Sequence, residues 1–186
     1  MQADDRAARM GPVKAFIILV GVVGAVVAVA SLTRQTDATS APAPTPSIAT
    51  PDYSLTNAEA LARFQELHET LRRASKERSL EIADSILTPD SPLQEVARRD
   101  TQQLISDGVL DKSIFETVNV QVVSNTDAEI MVEQRVIIRP HFVKEATGKN
   151  VGGNLDVILD VDWTLRRLTD RWLLHDAVVT SREKLK

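Results

Sequence analysis

The sequence predicts an α+β protein: an N-terminal transmembrane helix, then three helices packed on one face of a curved four-stranded antiparallel sheet. Three observations carry that prediction. Nineteen consecutive residues, Ala15–Thr33, hold no charge. Apolar residues recur at helical spacing between Thr56 and Asp107. From Phe115 the apolar period switches to two, the repeat of a half-buried strand.

The uncharged run is bracketed by Lys14 and Arg34 and is apolar on every face, so it cannot be one side of a soluble amphipathic helix. At 1.5 Å per residue it reaches roughly 28 Å, close to the ~30 Å hydrocarbon core of a bilayer. Arg6, Arg9 and Lys14 precede it, and only Arg34 follows closely. The positive-inside bias therefore puts residues 1–14 in the cytoplasm, the span at 15–33, and the rest outside the plasma membrane. A second reading stays open: Ala28-Val29-Ala30 before Ser31 fits a signal-peptide cleavage site. The length of the run, beyond a usual h-region, favours a retained signal anchor. Gly21, Gly24, Ala25 and Ala28 share one helical face and offer a helix–helix contact in lipid, though small residues are also common in membrane helices.

Residues 34–54 are rich in proline, alanine and threonine, with Pro42, Pro44, Pro46 and Pro51 preventing helix. As an extended tether this stretch would span up to ~60 Å. The folded domain is expected over 55–181, leaving 182–186 as a charged tail.

Thr56-Asn-Ala-Glu59 is a capping box that opens the first helix, whose inner line is Leu61, Phe64, Leu67, Leu71 and Ala74. A second helical piece covers Leu80–Leu87. Ser91-Pro-Leu-Gln94 reads as another capping box, with Leu93, Val96, Leu104 and Ile105 inward and Gly108 as a left-handed stop. Val118, Val120 and Val122 then alternate with polar residues, Asn125-Thr-Asp127 turns the chain, and Ile130, Val132, Val136 and Ile138 face inward. A glycine-containing loop leads to the strand carrying Leu155, Val157, Leu159, Val161, Trp163 and Leu165. A tight turn at Thr169-Asp170 returns it through Trp172–Thr180.

Helices first, then a meander ending Asp162-Trp-Thr-Leu-Arg-Arg-Leu-Thr-Asp-Arg-Trp-Leu-Leu-His-Asp176, resembles the nuclear transport factor 2-like superfamily over about Leu55–Val179. With a short basic tail, one span and a tether, the chain is also similar to Mce-associated membrane proteins of actinobacteria. It is equally similar to inner-membrane assembly components of type IV secretion and conjugation systems. These resemblances imply a non-enzymatic part of an envelope complex, with envelope proteins as partners. They also leave room for a ligand site or acid–base enzyme in the cone between sheet and helices.

Composition narrows the chemistry. The 186 residues include no cysteine, which excludes a disulfide framework, a thiolate metal site and a cysteine nucleophile. A net charge of −4 disfavours a nucleic acid partner. Phosphate loops, nucleophile elbows and zinc motifs do not occur, so neither cofactor nor metal is expected. With a two- or four-residue last turn, Asp176 would face inward beside Trp163, where burial would raise its pKa and make it a base. That is the one pocket candidate. His175 would lie on the solvated outer face. Asp156, Asp160 and Asp162 are expected to pair with Arg135 and Arg139 rather than hold a cation. His68 and His141 lack partners at metal-ligand spacing. Partners are then the lipid bilayer, other envelope proteins, and a second copy through the span.

Overall fold

The computed structural model describes residues 54–152 and 155–185. The span at 15–33, its Gly21, Gly24, Ala25 and Ala28 face, the cleavage site and nearly all the tether lie outside the described residues. Among the described residues no helix is long and apolar enough to cross a membrane.

Helix α1 runs Asn57–Glu77. Thr56 accepts a hydrogen bond from the Glu59 amide at 3.3 Å while the Glu59 carboxylate accepts from the Thr56 amide at 2.8 Å, closing the capping box. Ala60, Phe64, Leu67, Leu71 and Ala74 form its buried stripe. Arg78 ends it in the left-handed region (φ 53°), and its guanidinium makes a two-pronged pair with Glu145 at 2.8 and 3.0 Å.

Helix α2 is a short piece, Leu80–Asp84, capped by Ser79. Helix α3 covers Pro92–Ser106, with Pro92 in the first turn and Ser91 accepting from the Leu93 amide rather than sharing a box with Gln94. Its inner stripe is Ala97, Asp100, Thr101 and Leu104, and Ile105 is 55% exposed. The stripe is rotated from the expected one because two polar residues, Asp100 and Thr101, occupy core-facing turns. Gly108 follows at φ 57°, a conformation that carries no penalty without a Cβ.

Among the described residues seven strands follow where four were expected. Strands β2 (Ile114–Asn125), β3 (Glu129–Arg139), β6 (Val157–Leu168) and β7 (Arg171–Lys184) make one antiparallel sheet in the order β2-β3-β6-β7. Strands β1 (Val109–Asp111), β4 (Phe142–Lys144) and β5 (Asn150–Gly152) make a small second sheet, ordered β1-β4-β5. Three residues are too few to show a period, so only the long strands were legible. Leu155 stands outside β6 and is exposed. Strand β7 runs on through Arg182, Glu183 and Lys184, residues the sequence sets apart as a tail.

The inner face of the large sheet packs on α1. Ile130, Val132, Val136 and Ile138 of β3 and Val157, Leu159, Val161, Trp163 and Leu165 of β6 join Phe64, Leu67 and Leu71 in one core. Full burial of each such side chain contributes about 1.5–3 kcal/mol. The segment after α2 closes one end of the sheet: Leu87 bridges Leu174 in parallel, with the Thr88 amide donating to the Leu174 carbonyl and the Leu174 amide to the Ile86 carbonyl.

Candidate functional site

The cone between α1 and the sheet, where the sequence leaves room for a ligand site, draws side chains from four elements. Helix α1 contributes Phe64, His68 and Arg72, four residues apart and therefore stacked along one line. Strand β2 contributes Phe115 and Thr117, β3 contributes Gln134, and β6 contributes Trp163.

These groups fill the cone. Phe64 is 1% and Trp163 2% exposed. The His68 ring stacks on Phe64 at 5.5 Å and 19°, and meets Trp163 edge-on at 5.2 Å and 74°. Phe64 and Trp163 contact each other at 5.7 Å. Three rings in mutual contact leave no room for a substrate between them.

A polar chain runs through the same layer. Trp163 Nε1 donates to Gln134 Oε1 at 3.0 Å, and Gln134 Nε2 donates to Thr117 Oγ1 at 3.2 Å. Buried amides and indoles need such partners, so this chain fixes the Trp163 ring. Toward the mouth, Arg72 lies 4.8 Å over the Phe115 ring and pairs with Glu69 at 3.0 Å. Its Nε is buried and finds no hydrogen-bond acceptor among the described residues.

Burial drives the His68 pKa down to about 4, and the neighbouring Arg72 charge acts in the same direction. His68 is therefore a neutral imidazole at neutral pH. A base with a pKa near 4 is a poor proton acceptor from most carbon or oxygen acids at pH 7.

Asp176 is not in the cone, contrary to the expectation. The last turn does have two residues, pairing Leu168 with Arg171, which would bring Asp176 inward. However, a bulge intervenes: Leu174 pairs with Leu165, Asp176 with Thr164, and His175 is the extra residue. One inserted residue moves Asp176 to the outer face, away from Trp163, which pairs instead with Ala177. The Asp176 Oδ1 accepts only locally, from the Ala177 amide at 2.8 Å.

The bulge also relocates His175. Its Nδ1 lies 2.8 Å from Thr88 Oγ1 and 3.6 Å from Asp90 Oδ1, and its carbonyl accepts from Ser91 Oγ at 2.5 Å. It is a clasp between β7 and the start of α3, not the solvated cross-strand residue expected. The Thr88 hydrogen bond, followed by weaker contributions including the charges of His175 and Arg166, holds the Asp90 carboxyl below its ordinary range.

On the outer face Arg135 pairs with Asp160 at 3.3 Å and Arg139 with Asp156 at 3.4 Å, as expected, while Arg139 also takes an unforeseen partner in Glu116 at 2.7 Å. Asp162 is left beside Glu133 and Asp160. Burial first, then those two carboxylates, raise its pKa. Among the described residues no group of three His, Asp or Glu converges on a metal-sized point. A cavity of about 10 Å³, the size of one water, lies between the three helices beside Ser75, Asp100 and Thr101.

Sequence reasoning passed over the two polar residues that organise the cone. His68 sits one turn beyond Phe64, and Gln134 holds the inward parity between Val132 and Val136. Both positions were signals that a polar group had entered the core.

No protein-family model matches the sequence, and no curated protein matches it. Solved structures do. A protein of Novosphingobium aromaticivorans, provisionally described as an aromatic ring hydroxylase, superposes with a TM-score of 0.51 at 11% identity, covering 70% of this chain and 96% of that one. A Nostoc punctiforme protein of unknown function with a cystatin-like fold gives 0.44 at 14% identity over 68% and 92%. A type 2 hexachlorocyclohexane dehydrochlorinase gives 0.48 at 12% over 69% and 90%. At such identities the likeness is one of fold alone: residues 54–152 and 155–185 share with the Novosphingobium protein an α+β architecture of helices on antiparallel sheet.

Proposed function

We propose that this chain is a membrane-anchored, extracytoplasmic accessory or scaffold protein that acts through protein–protein contacts in a cell-envelope transport or secretion complex. The observation that carries the reading is the filled cone. Phe64, His68 and Trp163 occupy with their own rings the space in which this fold would hold a small molecule. Function then falls to the surface and to location. The uncharged run Ala15–Thr33 and the proline-rich tether supply location, in the arrangement of Mce-associated membrane proteins and of type IV secretion assembly components. Crosslinking in intact membranes, followed by detergent extraction, tests this. Specific crosslinks to other envelope proteins are expected, and recovery of the chain as a lone species refutes it.

A second reading, a ligand-binding or acid–base site at the cone, is favoured by one observation: the buried Arg72 Nε without an acceptor, next to a neutral His68. A small carboxylate entering past Phe115 would satisfy that donor. Such a ligand has to displace aromatic packing, so a panel of aromatic and aliphatic carboxylates should raise the melting temperature and change tryptophan emission. Unchanged emission across the panel removes this reading.

A further inference from the structure

We infer that the free edge of β2 is a homotypic pairing site, joining two copies of this chain through antiparallel β2 strands into one continuous eight-stranded sheet. The inference deepens the scaffold reading, and rests on it for the shared membrane that concentrates the copies.

Four features of β2 point there. It is an edge strand of twelve residues, long for an unprotected edge. Natural edges are guarded by lysine, proline, shortness or bulges; β2 has neither lysine nor proline, and its two bulges leave residues 119–122 between them in regular register. The bulges, at Val118 and Val123, push valines outward, 54% and 45% exposed. The core is also unfinished beneath it. Phe115, Val120 and Val122 are only partly buried, whereas their β3 partners Ile138, Gln134 and Val132 are buried. A further strand would extend the inner apolar row over them.

Charge selects the occupant. From Thr117 to Asn125 the strand carries no charge, so meeting its own copy brings no like charges together. The outer face of the sheet, by contrast, is charged, with Arg135 and Arg139 already paired to Asp160, Asp156 and Glu116, so a face-to-face approach would bury ion pairs. A two-fold axis at Val120 sets Val120 against its copy, Asn119 against Gln121 and Val118 against Val122. Strand alternation then keeps Val120 and Val122 on the inner face and Asn119 and Gln121 on the outer one, with the bulged Val118 exposed beside them.

The tether permits the geometry. Asn125 Nδ2 donates to the Leu55 carbonyl at 2.7 Å, so the chain enters the domain at the end of β2. Antiparallel pairing about Val120 puts the two entry points about 34 Å apart at ~3.4 Å per residue. Two tethers of up to ~60 Å each span that to a common membrane. One paired strand is a small interface, and co-localisation on a membrane supplies the effective concentration it needs.

The test uses the full chain in detergent micelles. Because the protein has no cysteine, Val120→Cys introduces a single thiol. Opposed Cβ atoms in a strand pair lie ~5 Å apart, close enough for a disulfide. Mild oxidation should yield a disulfide dimer from Val120→Cys but not from Arg98→Cys on α3. Adding Val118→Lys, at an exposed position, should abolish it while circular dichroism stays unchanged. Combining these changes with Gly21→Leu removes any contribution from the span. Equal crosslinking from both cysteines, or a dimer that survives Val118→Lys, overturns the inference. In case Val120→Cys misfolds, sedimentation of the cysteine-free chain decides: a dimer that Val118→Lys turns into monomer supports the pairing, and a monomer throughout overturns it. If heterologous envelope crosslinks persist while homodimers are absent, the pairing fails and the scaffold reading stands.

Discussion

Between pH 6.5 and 4 acid should weaken this fold through His68, whose shift lets the size be worked out. An unfolded histidine takes up a proton near pH 6.5, whereas folded His68 resists until about 4. Above pH 6.5 both states leave the ring neutral and His68 makes no pH-dependent contribution. Between 6.5 and 4 the unfolded chain binds a proton that the folded one does not, so stability falls as pH falls. At about 1.4 kcal/mol per pKa unit, the loss at pH 5 is at most ~2 kcal/mol, and well below pH 4 it reaches roughly 3–4 kcal/mol.

Urea unfolding followed by tryptophan emission reads this directly, since both tryptophans, Trp163 and Trp172, are buried in the core. The full chain in micelles is unfolded at pH 7 and pH 5, beside His68→Phe. Phenylalanine keeps the stack on Phe64 and the edge contact with Trp163 while removing the titrating group. Wild type should lose up to ~2 kcal/mol between the two pH values, and the variant should lose less by nearly that amount. Equal losses in both proteins would show that His68 is solvated and would refute the account of a packed cone.

Two further substitutions test the cone and its surroundings. Trp163→Phe preserves the ring but leaves Gln134 Oε1 without its donor, so thermal unfolding should show about 1–3 kcal/mol of destabilisation. Asp176→Asn should change stability by less than about 0.5 kcal/mol, because the outer-face amide oxygen still accepts from the Ala177 amide. A loss of several kcal/mol, or of any binding found for the cone, would return Asp176 to the interior.

The legible parts of the fold were those with long periods. The Thr56 capping box, the stripe from Phe64 to Ala74 and the alternation from Val157 to Leu165 are statements about neighbours in sequence, which local physics decides. The β1-β4-β5 sheet escaped because β1 pairs with β4 some thirty positions away, as Val109 with Lys144, and none of the three strands is long enough to alternate. The site departs from the sequence pattern in two ways: polar His68 and Gln134 occupy core-facing positions, and the strand parity that holds through the two-residue turn breaks at His175. That bulge answers to Thr88 and Ser91, more than eighty residues earlier, which hold the His175 ring and carbonyl. A register defect fixed by so distant a contact leaves no local trace.

The same clasp makes the two edges of the sheet unequal. At the β7 edge, Leu87 occupies the backbone of Leu174, and His175 is pinned by Thr88 and Ser91. Further along, Arg182, Glu183 and Lys184 place charges on that strand, a common protection against stray pairing. The β2 edge has neither device between Thr117 and Asn125. An assembly joined at β2 through a two-fold axis consumes the open edge of both copies and presents only guarded β7 edges outward. It therefore closes at two instead of growing into a ribbon. Removing the guard tests this step. Arg182→Val with Glu183→Thr and Lys184→Val should convert dimers into higher oligomers on sedimentation, and addition of Val118→Lys should return them to dimers at most.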